Sequence, residues 1–169
     1  MLRALIAAAA MLASGALPAA TIGGRLSYPG EGIPAMIVVA RNAAGATLST
    51  ETRMGQARYR LEVPAGNYVV FAIPLGNPPL PGQVPLRGAH TEYSVCSRDQ
   101  AKMLAGGCKT GPLVEIRLAE GDKRNDVDID DWYMPDALVA TLNLAVSDGP
   151  SVKSTDAYFA AYPADTSPL

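Results

Sequence analysis

The chain has 169 residues, with 14 Lys and Arg against 16 Asp and Glu and a formal net charge of −2. A mildly acidic chain without a basic stripe along its sequence lacks the electrostatic footprint of a nucleic-acid-binding domain. Its 49% hydrophobic fraction overstates the core, because an Ala-rich leader inflates it.

That leader comes first. Met1-Leu2-Arg3 carries one positive charge, Ala4 to Leu17 is an Ala/Leu-rich apolar run, and Leu17-Pro18-Ala19-Ala20 places small residues before Thr21. These are the three regions of a secretory signal peptide over residues 1–20. Cleavage after Ala20 is the first choice and cleavage after Ala16 the alternative. The run is short for a bilayer span of about 20 residues and has no charged stop-transfer flank, so a retained anchor is the weaker reading. The leader has no cysteine, which excludes a lipid-modified N-terminal cysteine. No later stretch reaches membrane length. The expectation is a soluble mature chain without a membrane span, periplasmic or extracellular, of one-domain size.

Thr21 to Tyr28 alternates Ile22, Gly24, Leu26 and Tyr28 on one face and reads as a strand. Pro29 to Pro34 is a Gly/Pro loop. Ala35 to Arg41 is continuously apolar with β-branched residues, as a buried central strand would be. Asn42-Ala43-Ala44-Gly45 turns the chain, and Thr47 to Arg53, Thr-rich and polar at alternate positions, reads as an edge strand. Arg58 to Val63 alternates Tyr59, Leu61 and Val63 with charged residues. Pro64-Ala65-Gly66-Asn67 supplies a turn, and Tyr68 to Ile73 is nearly all apolar. The two strands around that turn read as a hairpin.

After Ile73 the repeated prolines of Pro74 to Pro85 preclude sheet or helix and predict an extended surface loop. Ala89 to Val95 reads as a short strand leading into a loop bounded by Cys96 and Cys108. In an exported chain two cysteines pair, and closing a loop of that size stabilises by about 3 kcal/mol on chain-entropy grounds. Their spacing is unlike the C-x-x-C of thiol oxidoreductases, so a structural staple is expected. Leu113 to Leu118 alternates as a strand with one core face. Ala119 to Asp122 is a turn, and Asp126 to Tyr133 reads as the last strand. Ala137 to Val146 fits an added strand or a short apolar helix equally. Ser147 to Ser154 reads as a linker, and Ser154 or Thr155 is placed to cap a short helix through Tyr162. The last stretch is expected to be poorly ordered. Seven or eight short strands with frequent turns argue an all-β, antiparallel β-sandwich over residues 21–133, followed by a partly disordered C-terminal extension over 134–169.

Three stretches carry a family resemblance: Gly24-Arg25-Leu26-Ser27-Tyr28-Pro29 with Ile33-Pro34-Ala35, the Tyr59 to Ala72 strands with their Pro-Ala-Gly-Asn-Tyr turn, and Val127-Asp128-Ile129-Asp130-Asp131-Trp132-Tyr133. Together they resemble the carboxypeptidase regulatory-like (transthyretin-like, prealbumin-like) domain of exported bacterial proteins, over about Ile22 to Tyr133. The resemblance implies a seven-stranded sandwich acting as an accessory or binding module, with no catalytic set. The Pro-rich loop and the tail depart from that pattern.

Candidate chemistry is sparse. A zinc peptidase needs about three ligands at fixed spacing, and the chain has one histidine, His90, without H-x-x-E or H-E-x-x-H. Transthyretin-related hydrolases need several histidines and a basic C-terminal motif, both lacking here. No G-x-S-x-G elbow accompanies His90, which reads as an ordinary strand-edge residue. Asp126, Asp128 and Asp130 alternate along one strand face, with Asp131 beside them. Carboxylates of this kind are weak Ca²⁺ candidates, against the simpler reading of a solvated face that discourages edge pairing. Tyr28, Tyr93, Trp132 and Tyr133 are the aromatics a carbohydrate site would use, although buried core aromatics are the commoner role.

The sequence therefore argues an exported, non-catalytic accessory or protein-interaction module that needs no cofactor. Its partner would be an envelope protein or a glycan. The expected contact surface is Leu75 to Gly88 with the cysteine loop; strand addition at Thr47 to Arg53 is a further route. The alternatives are a carbohydrate-binding module and a Ca²⁺-dependent adhesion unit.

Overall fold

The structure is a computed structural model, described here for residues 19–76 and 85–146. In chain order the elements are β1 (Ala20–Arg25), β2 (Met36–Asn42), β3 (Thr47–Glu51), β4 (Arg58–Val63), β5 (Gly66–Pro74), β6 (Gly88–Ala89), α1 (Glu92–Cys96), α2 (Gln100–Leu104), β7 (Ile116–Leu118), β8 (Lys123–Arg124) and α3 (Asp136–Val146).

Two sheets pack face to face, the sandwich expected of the alternating strands. One has the order β4-β1-β8; the other runs β3-β2-β5-β6, with β7 also on β5. Pairing is antiparallel except between β1 and β8. β3 lies at a sheet edge, as its polar alternation predicts. Between the sheets Ile22, Met36, Val38, Leu61, Val70 and Val127 form the main core. Each is nearly or fully buried, contributing roughly 1.5–3 kcal/mol per large side chain by transfer from water.

The stretch around Pro64 is not a hairpin. β4 pairs with β1, and β5 pairs with β2, β6 and β7. The chain crosses from one sheet to the other at Pro64-Ala65, and the Tyr68 hydroxyl ties the crossing by donating to the Pro64 carbonyl at 3.0 Å. The strands were legible; their pairing was not, because period-2 alternation marks a buried face without naming the neighbour. By contrast, the Asn42 turn joins true neighbours. Asn42 Oδ1 accepts from the Ala46 N–H at 2.9 Å, and Gly45 takes φ +85°, a conformation suited to glycine.

Two other expectations change. The strand expected over Ala89 to Val95 is confined to Ala89, the second residue of β6, and from Glu92 the stretch is helix α1. Thr91 caps that helix: its side chain accepts from the Tyr93 N–H, and Ser94 Oγ accepts from the Thr91 N–H. This reciprocal box uses serine where glutamate or glutamine is the usual signature. Asp126 to Tyr133 is not a continuous strand. It touches the sheets through single bridges, Leu26 with Ile129 and Ala89 with Asp131. Its aspartates intercept backbone donors a ladder would use: Asp128 Oδ1 accepts from the Arg25 N–H at 2.8 Å, and Asp131 Oδ1 from the Tyr133 N–H at 3.2 Å.

The stretch from Ala137 resolves as helix. α3 covers the outer face of the larger sheet, where Met134, Val139 and Leu142 join Val39, Phe71 and Ala89 in a second apolar cluster. Arg41 Nη1 reaches the Thr141 carbonyl at 3.2 Å. At the other end, β1 begins at Ala20, which has no exposed surface and pairs with Val63; the sequence had placed Ala20 in the leader. Residues 1–18, most of the Pro-rich loop (77–84) and 147–169 lie outside the described residues.

Candidate functional site

The most distinctive local structure is the lobe between Thr91 and Thr110. Cys96 and Cys108 pair, with sulfurs 2.05 Å apart and α-carbons 5.6 Å apart. Asp99 caps α2 by accepting from the Lys102 N–H at 3.2 Å. That hydrogen bond, ahead of the Lys102 charge, holds the Asp99 carboxyl below the usual carboxylate range.

The acidic segment serves as the seat of this lobe. Its alternation holds: Val127 and Ile129 are buried, while Asp126, Asp128 and Asp130 lie toward the other face. Arg98 Nη1 lies 3.2 Å from Asp126 and its Nε 3.4 Å from Asp128. Ser97 Oγ donates to Asp130 at 2.9 Å. Arg124 also holds Asp126 at 2.9 Å, and this hydrogen bond is the main reason the Asp126 carboxyl sits below its ordinary range. Beneath them Asp131, 2% exposed, accepts from Thr91 Oγ1 at 2.6 Å and Thr110 Oγ1 at 3.2 Å. One buried carboxylate thus clamps both stems of the lobe.

The lobe is anchored on four aspartates through Thr91, Ser97, Arg98 and Thr110, yet α2 buries none of its residues. Val95 is 47% exposed, Met103 42% and Leu104 75%. Sequence patterning marked the loop as a candidate but not its exposed helix, because five residues cannot show a helical period.

The other sequence candidates disperse. His90 directly follows β6 but is buried, 1% exposed; its backbone N–H donates to the Val70 carbonyl at 3.0 Å and its own carbonyl accepts from the Val114 N–H at 3.1 Å. Its Nδ1 lies 2.8 Å from the Asp128 carbonyl, so that nitrogen carries the proton. Burial, foremost, pushes the imidazole below its ordinary pKa. Among the described residues no group of three or more His, Cys, Asp or Glu is placed to hold a metal ion. Two of the three weak Ca²⁺ candidates, Asp126 and Asp128, face arginines instead. Trp132 is a core residue that donates to the Ser27 carbonyl at 2.9 Å and meets Tyr28 edge to face at 5.1 Å. Tyr93 is half-buried and Tyr133 is 78% exposed.

From the Pro-rich stretch the described flank shows Leu86 exposed, while Arg87 is buried and lowered by that burial to a pKa of about 10. An open cleft of about 330 Å³ lies elsewhere, lined by Arg41, Asn42, Asn67, Tyr68 and Glu115. It includes none of the candidate site residues read from the sequence. No helix among the described residues is long and apolar enough to cross a membrane. No protein-family model matches the chain, and no curated protein or solved structure does so either.

Proposed function

We propose that the protein is an exported, non-catalytic interaction module of the carboxypeptidase regulatory-like kind, and that it meets an envelope protein through the cystine lobe. One observation carries this reading. A disulfide, two arginine–aspartate pairs and a buried aspartate hold the lobe in place, while α2 presents Met103 and Leu104 outward. Fixing α2, which buries none of its residues, costs conformational entropy without core burial in return. Preorganisation for a partner supplies that return, since a rigid apolar contact loses less freedom on binding. The disulfide and the leader-like N-terminus support an oxidising, exported location.

The test is capture from an envelope fraction with wild-type protein and with the double variant Met103→Asp, Leu104→Asp. A specific protein retained by the wild type and lost with the variant supports the module. Equal capture by both would remove the lobe from the account. The carbohydrate alternative keeps Tyr133 as its exposed aromatic, and glycan binding abolished by Tyr133→Ala would favour it.

A further inference from the structure

The fold gathers a basic surface that the linear sequence does not display. On the outer face of the three-stranded sheet, Arg25 stands directly opposite Arg58, and Gly23 opposite Arg60; Lys123 stands beside Thr21 on the other side of β1. All four basic side chains are exposed. Like charges placed directly across a strand pair destabilise it, and among the described residues neither Arg25, Arg58 nor Lys123 has a carboxylate within ion-pair distance. The bordering acids are engaged: Glu62 faces Arg60 at 3.6 Å, Asp126 is held by Arg98 and Arg124, Asp128 by Arg98 and the Arg25 N–H, and Asp122 by the Ala119 N–H. On a chain of net charge −2, this face sets Arg25, Arg58, Arg60 and Lys123 against Glu62 alone among its outward strand residues.

We infer that this face docks on an anionic phospholipid surface. Charge complementarity and the shape of the strip both favour such a surface. Neighbouring strands are about 4.8 Å apart, so three strands form a strip roughly 10 Å wide. An open strip of spaced cations suits an extended array of phosphate headgroups better than a single anion, which needs an enclosing cradle. Basic residues near such a surface each add about 1 kcal/mol, roughly a fivefold gain in partition. This docking does not depend on the role of the cystine lobe.

The test is sedimentation of the full chain with vesicles of one part phosphatidylglycerol to two parts phosphatidylcholine, against vesicles of phosphatidylcholine alone. The neutral vesicles measure any contribution of the apolar leader. The expected result is excess binding to the anionic vesicles that disappears near 0.5 M salt, where screening reaches within about 5 Å. Arg25→Glu with Arg58→Glu lowers that excess about tenfold or more, with an unchanged melting temperature. Arg58→Gln replaces the double variant if the latter melts early. Glu62→Gln, which removes the carboxylate facing Arg60, raises the excess. Equal binding to both vesicle types, or an undiminished arginine variant, overturns the inference. So does salt-sensitive retention on a soluble polyanion such as heparin without sedimentation, which would assign the face to a polymer.

Discussion

The indole of Trp132 lies against Gly88 so closely that a β-carbon at Gly88 would come within 2.5 Å of two ring atoms. Gly88 opens β6, and Trp132 closes the acidic segment. The contact joins the larger sheet to the last piece of core. Even the smallest side chain at Gly88 must displace the ring, which also bonds to Ser27. Gly88→Ala is expected to destabilise by about 1–3 kcal/mol, the usual cost of overpacking, read as a lowered midpoint in denaturant titration. A midpoint equal to wild type would mean the ring moves freely.

His90 predicts an acid limb in stability. Its folded pKa lies below the ordinary 6.5, chiefly through burial. The unfolded state therefore binds the extra proton, and stability is full above about pH 6.5 and declines as pH falls from there toward the folded pKa. The groups around the ring act in both directions: Arg98 lowers the pKa further, and Asp130 and Asp128 oppose it. Asp126, also depressed, loses its contribution only at lower pH, below the ordinary 3.8. Chemical denaturation between pH 7 and 5 checks this. The slope should vanish in His90→Gln, and a slope that survives would locate it elsewhere.

Removing the disulfide should release the lobe before the sandwich. The core between the sheets contains neither cysteine. Cys96→Ser with Cys108→Ser is expected to cost about 3 kcal/mol and to make the segment from Ser97 to Gly107 the first target of limited proteolysis. Simultaneous cleavage throughout the chain would show that the lobe and sandwich unfold as one.

The N-terminus offers a separate check of the proposed export. Ala20 is buried in register with Val63, and the Thr21 N–H donates to the Asp122 carbonyl at 2.7 Å. Cleavage after Ala20 would remove a core residue and place a charged amine where Thr21 is 4% exposed, which is unfavourable. Cleavage after Ala16 leaves β1 whole, and Ser14-Gly15-Ala16 has the small-x-small pattern. Terminal sequencing should begin at Leu17; a start at Thr21 would contradict this.

Much of the sandwich was legible because alternation and apolar runs report burial directly: Tyr59, Leu61 and Val63 point inward as their spacing requires. Pairing was less legible. Whether β4 turns back on β5 or crosses to the other sheet depends on tertiary packing, and Pro64-Ala65-Gly66-Asn67 is compatible with both. The short helices α1 and α2 fell below any detectable period. Asp126, Asp128 and Asp130 were recognised as one face, but their partners Ser97 and Arg98 stand about thirty positions earlier and only the fold brings them together. The basic face was hidden for the same reason: Arg25, Arg58 and Lys123 belong to three separate strands.

The central claim is that α2 is a contact surface. It is tested most directly by a photo-activated crosslinker placed at Leu104, with a matching one at Glu51 on the edge strand β3, irradiated in intact cells. The account predicts one discrete protein adduct from position 104 and none of that size from position 51. No adduct at 104, or the same adduct from both positions, would contradict it.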